Sequence, residues 1–138
     1  MAINYWGVLA ATVAAWIFGA VYYGVLGERW MIALGRSQAD IAARRAKKVV
    51  PVGPMVISFV AELVMAFMLA GLVGHIAGGA PTIKAGLLTG GPCWLGFVVT
   101  VLATNYGYQQ AKPSLTIIDS LHWLGVLLIQ GIVIGAVG

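Results

Sequence analysis

The chain has 138 residues, of which 61% are hydrophobic and only 9% are charged. Soluble domains carry about 25% charged residues, so this composition excludes an ordinary water-soluble fold and indicates an integral membrane protein. Eight basic and four acidic residues give a net charge of +4. The basic residues lie mainly between apolar segments, which is not the pattern of a nucleic-acid-binding surface.

Four apolar segments are long enough to cross a bilayer as α-helices. About 20 apolar residues, each adding about 1.5 Å, span a hydrocarbon core of about 30 Å. The segments cover about residues 5–26, 54–73, 83–110 and 114–136. None shows the alternating polarity of membrane β-strands. We therefore predict an all-α, integral membrane four-helix bundle, forming a single transmembrane domain over residues 1–138.

The first connection, residues 27–53, is predicted to contain a short amphipathic helix. Ser37 and Asp40 have the spacing of an N-terminal capping box, and Asp40 can pair with Arg44 one turn later. Four basic residues share one face of this helix and are expected to contact anionic lipid headgroups: Arg44, Arg45, Lys47 and Lys48. A solvated helix that only enforces topology is the alternative.

The distribution of basic residues predicts the orientation of the chain. Seven of the eight lie in or beside the first and third connections, and only Lys84 lies on the other side. Because Lys and Arg are retained in the cytoplasm, residues 27–53 are predicted to be cytoplasmic and both termini to lie on the opposite side. Aromatic residues at both ends of the first span are typical of headgroup anchors: Tyr5, Trp6, Tyr22, Tyr23 and Trp30.

Three ionisable side chains fall within the predicted spans. Each costs about 2.5–3.5 kcal/mol at the centre of a membrane helix and is therefore expected to face the bundle interior. Glu62 lies near the middle of the second span, and Asp119 and His122 share one face of the fourth. Asn105, near the end of the third span, is expected level with Asp119 because the turn between these spans is short. These four residues form the predicted intramembrane polar site.

Asp119 and His122 admit two interpretations. A carboxylate one turn from an imidazole can fix its tautomer, as in proton relays and in the outer shells of metal sites. The same pairing lets two costly polar groups satisfy each other in a purely structural role. No metal site is predicted, because the sequence lacks a clustered ligand pattern, and it names no cofactor. His75 and His122 lie toward opposite ends of the bundle, which argues against a bis-histidine haem.

Pro92 lies well inside the third span and removes a backbone donor, so a helix kink is expected there. In transporters such a break can expose backbone groups to a substrate. Here a role in shaping the bundle is favoured. Small residues four positions apart, a weak signal for close helix pairing, occur in the third and fourth spans: Gly86 with Gly90, and Gly131 with Gly135.

Three sequence elements carry a family resemblance over nearly the whole chain. They are GAVYYGVLGERWM at residues 19–31, TNY at 104–106 and IDSLHWLG at 118–125. With these elements the chain resembles a family of small bacterial membrane proteins known as domain of unknown function 1761. The resemblance implies four spans and a location in the bacterial inner (cytoplasmic) membrane. It implies no activity and no catalytic residues.

Two functions of different kinds fit these features. The first is the handling of a proton, ion or small solute through the polar intramembrane site, in a homo-oligomer because four short helices make a narrow monomer. The alternative is a non-catalytic structural or assembly subunit of a larger membrane complex, indicated by the small-residue faces and by Trp16, Trp94 and Trp123 within the spans. An enzyme is not predicted, because no nucleophile or metal set accompanies the polar residues.

Overall fold

The computed structural model describes residues 2–138, and every regular element in them is helical. Four helices are long and apolar enough to cross a membrane: α1 (Tyr5–Ala33), α3 (Val52–Ala77), a third span at Ile83–Tyr108, and α6 (Pro113–Val137). The short helix α2 (Gln38–Lys47) lies between the first two spans. The predicted all-α fold, with four spans and a short helix after the first, is confirmed.

Helix α1 ends seven residues later than predicted. The charged pair Glu28 and Arg29 marks the expected end of the apolar segment, but a change from lipid to water does not by itself terminate a helix. The chain instead turns at Gly35, whose φ of +85° is left-handed and therefore suited to glycine. The last turns of α1 thus extend past the apolar segment.

The third span is not a uniform α-helix. It consists of α4 (Ile83–Cys93), a π-helical segment (Trp94–Val99) and α5 (Thr100–Tyr108). Pro92, the residue expected to distort this span, lies in the last turn of α4, just before the π-helical segment. Wider π-helical turns hold more residues than α-helical turns, so the segment changes which faces of α5 point inward.

The two ends of the bundle are fixed by contacts between distant parts of the chain. At one end, the termini end, the Asn4 side-chain amide donates to the carbonyl of Val137 at 3.1 Å. At the other, the connection end, the Lys112 ammonium donates to the carbonyl of Ile32 at 3.1 Å. The first and third connections therefore share one end, and the two termini share the other.

Helix α6 packs against α4 with almost no space between the two backbones. A Cβ atom added to Gly86 would overlap the carbonyl oxygen of Gly131, and one added to Gly135 would overlap the carbonyl of Thr82. Only glycine permits this approach. The spacing of small residues in the third and fourth spans thus marks a real helix contact.

The half of the bundle nearest the termini end is filled by small and medium apolar side chains. They come from α1, α3 and α6, and they include Val8, Ala11, Ala66, Leu69, Ala70, Val73, Leu127 and Ile134. Ala11, Ala66 and Val73 are completely buried. We call this region the closed half.

Helix α2 begins as the capping pattern predicts. The backbone N–H of Asp40 donates to Oγ of Ser37 at 3.1 Å, and the Asp40 carboxylate pairs with Arg36 at 3.2 Å and Arg44 at 3.4 Å. The hydrogen bond from Arg36, followed by the charge of Arg44, holds the pKa of Asp40 below its usual value. A further pair, Arg45 to Glu28 at 2.6 Å, ties α2 to α1.

Lys48 does not belong to α2, although it was predicted to share the basic face of this helix. Its left-handed conformation (φ 47°) ends the helix at Lys47. The buried residue of α2 is Ile41, whereas the alanines of the helix are exposed. A single larger aliphatic side chain buries more apolar area than several alanines.

Candidate intramembrane binding site

A cavity of about 660 Å³ lies between α1 and α3. It extends from the connection end, where Val49, Pro51 and Pro54 are exposed at its rim, to Glu62 and His122 near the middle of the bundle. We call it the α1/α3 cavity, and we call the half of the bundle that contains it the open half. Its volume is that of a site for a small organic molecule.

The cavity exists because α1 and α3 are in contact over only part of their lengths. Tyr5 stacks on Phe67, and Trp16 meets Phe59 edge to face. Beyond Trp16, the α1 residues that line the cavity include four with little or no side chain: Gly19, Ala20, Gly24 and Gly27. Small side chains on one wall and the prolines at the start of α3 on the other leave the space between the helices unfilled.

Glu62 lies at the inner end of this cavity. Its side chain is 1% exposed, and its Oε2 atom has no hydrogen-bond partner. The backbone carbonyl of Glu62 accepts a hydrogen bond from the Gln130 amide at 3.0 Å, which fixes α3 against α6. A buried carboxyl group without partners is stable only when it is neutral or when a bound group satisfies it.

His122 forms part of the same inner wall. Its Nδ1 atom is buried without a partner. The ring stacks on Phe18, with centroids 6.1 Å apart, and lies 4.8 Å from the rings of Tyr23 and Trp123. These aromatic contacts hold the imidazole in place without using its hydrogen-bonding atoms.

Gly19 brings Glu62 and His122 to the same place. A Cβ atom at this position would lie 2.9 Å from Nε2 of His122 and 3.9 Å from Oε1 of Glu62. The missing side chain therefore leaves both groups within reach of one bound molecule. The sequence analysis did not predict Gly19 as part of the site, although Gly19 and Tyr23 are four residues apart and therefore lie on one helix face.

Asp119 is satisfied by tyrosines rather than by His122. Its carboxyl oxygens accept hydrogen bonds from Tyr23 at 2.7 Å and from Tyr106 at 2.5 Å. Within residues 2–138, no hydrogen bond joins Asp119 to His122. The two residues share one buried face of α6, as predicted, but the geometry favours a structural role for Asp119 and leaves His122 free.

The prediction that Asn105 joins the polar interior is wrong. Its side chain is exposed, and the neighbouring Tyr106 takes the inward position and bonds Asp119. The cause is the π-helical segment at Trp94–Val99, which rotates the faces of α5 relative to a continuous α-helix. Uniform helical spacing therefore predicts that Asn105 faces the interior, whereas in the structure Tyr106 does.

Two aromatic residues of α1 that were assigned to a headgroup belt, Tyr22 and Tyr23, make hydrogen bonds inside the bundle. Tyr22 donates to the carbonyl of Ile118 at 2.6 Å, and Tyr23 donates to Asp119. Trp30 lines the α1/α3 cavity at the connection end. Tyrosine with a partner inside a bundle looks the same in sequence as tyrosine at an interface. The sequence feature that indicates an internal role for these tyrosines is the presence of polar residues on the fourth span that can serve as their partners.

The remaining predicted site residues lie outside the cavity. Arg44, Arg45, Lys47 and Lys48 are exposed on and after α2 at the connection end. In the described part of the chain, residues 2–138, no three His, Cys, Asp or Glu side chains come close enough together to hold a metal ion.

Comparison with known proteins gives one match. The model of a family described as "Protein of unknown function (DUF1761)" matches residues 6–135. Neither the curated proteins nor the solved structures include a match.

Proposed function

This chain belongs to the DUF1761 family of proteins of unknown function, and we propose that it binds a small solute inside the membrane and exchanges it for a proton at Glu62. One observation carries the proposal: a buried carboxyl group with an unpartnered oxygen lies at the inner end of a 660 Å³ cavity that reaches the surface. We propose a binding and exchange role without catalysis.

The exchange follows from the cost of a buried charge. Glu62 can release its proton only when another group satisfies the carboxylate, because no side chain of the surrounding wall donates a hydrogen bond to Oε2. A solute that enters the cavity supplies that group, so solute binding and proton release are coupled. The Nε2 atom of His122 faces the same point of the cavity and can hydrogen-bond the bound solute.

Passage across the membrane needs more than the cavity alone. The closed half fills the space between Glu62 and the termini end with buried apolar residues such as Ala66 and Val73. A solute can cross only if α1 moves against α3 or if a second copy of the chain supplies another path. We propose that the working unit is a homo-oligomer.

The alternative, an assembly subunit of a larger complex, has less support. Trp16 donates to Met55 and Ser58, and Trp94 donates to the carbonyl of Ser120, so both have partners inside the chain. The glycines four apart are likewise used within the bundle by α4 and α6. The features that favour an external partner in the sequence thus serve the chain's own packing.

We further propose that the connection end faces the cytoplasm of a bacterial inner membrane. Seven of the eight basic residues lie at or near that end, as expected for cytoplasmic connections. The exposed basic residues of α2 and its C-terminal end then meet the anionic headgroups of the inner leaflet: Arg44, Arg45, Lys47 and Lys48. The solute would enter from this side.

Chemical labelling of carboxyl groups tests the proposed function. The chain in lipid nanodiscs is treated with a water-soluble carbodiimide and an amine, and the modified residues are identified by mass spectrometry. We expect modification of Glu62 as well as of the partly exposed Glu28 and Asp40, whereas Asp119 stays unmodified behind its tyrosines. A panel of small cations, anions and neutral solutes is then added, and at least one member should protect Glu62 but not Glu28.

Two outcomes contradict the proposal. Glu62 that is as unreactive as Asp119 would mean that the carboxyl group is sealed by packing. Glu62 that is reactive but protected by no member of the panel would mean that the cavity admits reagents without binding a solute.

A further inference from the structure

We infer that the solute is a monovalent organic cation with a bulky apolar body, held with its charge at Glu62 and its body against the aromatic wall of the α1/α3 cavity. This inference rests on the proposed function and names the substrate class of the same site. Three properties of the cavity support it: the sign of its ionisable groups, the chemistry of its walls and its size.

The ionisable groups favour a positive ligand. The titratable side chains that line the cavity are Glu62 from α3, His122 from α6 and Tyr23 from α1, and α4 contributes none. Within residues 2–138, no lysine or arginine lines the cavity. An anion would therefore meet a carboxyl group with no cation to offset it, whereas a cation gains a counter-ion.

The helix dipoles do not reverse this preference. The C-terminal end of α1 and the N-terminal end of α3 both lie at the connection end, near the mouth of the cavity. Their partial charges, about −0.5 and +0.5, offset one another there. The field inside the cavity is then set by its side chains, and mainly by Glu62.

The walls suit an apolar body that carries a positive charge. Trp16, Tyr23 and Trp30 all contribute to the lining. Aromatic faces attract cations, and tryptophan does so most strongly. The indole N–H of Trp16 already donates to Met55 and Ser58 at 3.2 Å, which fixes the orientation of this ring before a ligand arrives.

The size argues against an inorganic ion. A cavity of about 660 Å³ lies within the range of about 300–1,000 Å³ typical of sites for drug-sized molecules. A bare metal ion would leave most of that volume unfilled, and no cluster of three metal-ligating side chains occurs in the described chain. A bulky organic cation fills the space and places its charge at the inner end.

The charge of the site is conserved in the exchange. The O–H bond of neutral Glu62 breaks, the proton leaves toward water through the cavity mouth, and the carboxylate that remains pairs with the incoming cation. One positive charge leaves for each one that enters. Cation binding is therefore expected to strengthen as the pH rises, because protons compete for the same carboxyl group.

Two probes of the same shape and opposite charge test this inference. Binding of tetraphenylphosphonium and of tetraphenylborate to the chain in nanodiscs is measured by equilibrium dialysis, with empty nanodiscs as the blank. We expect saturable binding of tetraphenylphosphonium that tightens between pH 6 and pH 8, and binding of tetraphenylborate no greater than the blank. Addition of tetraphenylphosphonium at pH 6 in weak buffer should release up to one proton per cation bound.

Matched variants locate the effect. Glu62→Gln should weaken tetraphenylphosphonium binding at least tenfold and remove its pH dependence, whereas Glu28→Gln, the same change outside the cavity, should leave both unchanged. Glu62→Asp keeps the charge and should keep the pH dependence at reduced affinity. The proton-release measurement uses the unmodified chain and therefore applies even if a variant does not fold.

The inference is overturned by equal binding of the two probes, by full tetraphenylphosphonium affinity in Glu62→Gln, or by cation binding without proton release. Protection of Glu62 from the carbodiimide by anions or neutral solutes alone would overturn the cation assignment while leaving the proposed function intact. If no solute protected Glu62, both the cation assignment and the proposed function would be wrong.

Discussion

The closed and open halves of the bundle are built from the same helices but packed by different means. In the closed half, α4 and α6 approach until their backbones touch at Gly86 and Gly131, and small apolar side chains fill the rest. In the open half, glycines and an alanine on α1 face a space that nothing fills, and Glu62 borders it without a partner. Small residues thus close one half and leave the other vacant.

The difference lies in what faces each small residue. A glycine opposite another glycine on a neighbouring helix allows the backbones to meet, and dispersion contacts replace the missing side chain. Gly24 and Gly27 have nothing within 4 Å of the position a Cβ atom would take. The closed half therefore contributes stability, and the open half contributes a binding space.

The largest expected effect comes from filling the glycine contact in the closed half. Gly86→Leu should destabilise the chain by more than about 4 kcal/mol and prevent folding, because its Cβ alone would overlap Gly131 and even modest overpacking costs about 1–3 kcal/mol. Gly71→Leu, also within a span but with nothing within 4 Å, is the matched control and should change stability by less than about 1 kcal/mol. Denaturation in mixed micelles measures both. Equal stability of the two variants would show that the contact of Gly86 with Gly131 does not hold the closed half together.

The next effect concerns the polar contact that braces the open half. Asp119→Ala should cost about 2–3 kcal/mol, because the partly buried hydroxyls of Tyr23 and Tyr106 both lose their acceptor. Tyr23→Phe and Tyr106→Phe should each cost less, and combining either with Asp119→Ala should add little, since the bond is already lost. Full additivity in these double-mutant cycles would show that the hydrogen bonds do not hold the helices together.

The lengths of apolar segments were sufficient to predict the four spans, and Ser37 with Asp40 was sufficient to predict the start of α2. Both depend on local sequence and on the solvent around a helix. The glycine spacing of α4 and α6 was visible, but many glycines of this chain share no contact, so only the structure identifies Gly86 and Gly131 as a pair.

The content of the site was harder to predict, because it depends on the phase and length of whole helices. Because of the π-helical turns after Pro92, Tyr106 and not Asn105 faces the interior. These turns cannot be predicted from uniform helical spacing. The α1/α3 cavity is the space left where small residues of α1 face the first turns of α3, and it depends on how the two helices pack. Glu62 was identified correctly as buried, since a carboxyl group in a membrane helix has few other places to go.

A smaller effect on stability is expected at Glu62 itself. Glu62→Met should change stability by about 1 kcal/mol or less, and in the favourable direction, because an unpartnered buried carboxyl group contributes no bond to lose. The same variant should lose solute binding. This separates it from Asp119→Ala, which loses stability. A Glu62→Met variant that unfolds as readily as Asp119→Ala would make Glu62 a structural residue and the open half a packing defect.

The smallest effect is expected outside the bundle, at the ion pairs of Asp40 on α2. Because Arg36 and Arg44 hold the pKa of Asp40 below its usual value, the pairs are intact above about pH 4 and are lost as the pH falls through the lower folded-state value. Asp40→Asn at pH 7 reproduces the acid state and should speed amide hydrogen exchange in α2 only slightly, since exposed pairs are weak and are screened by salt. Unchanged exchange would mean that the Ser37 cap and buried Ile41 hold α2 in place without these pairs.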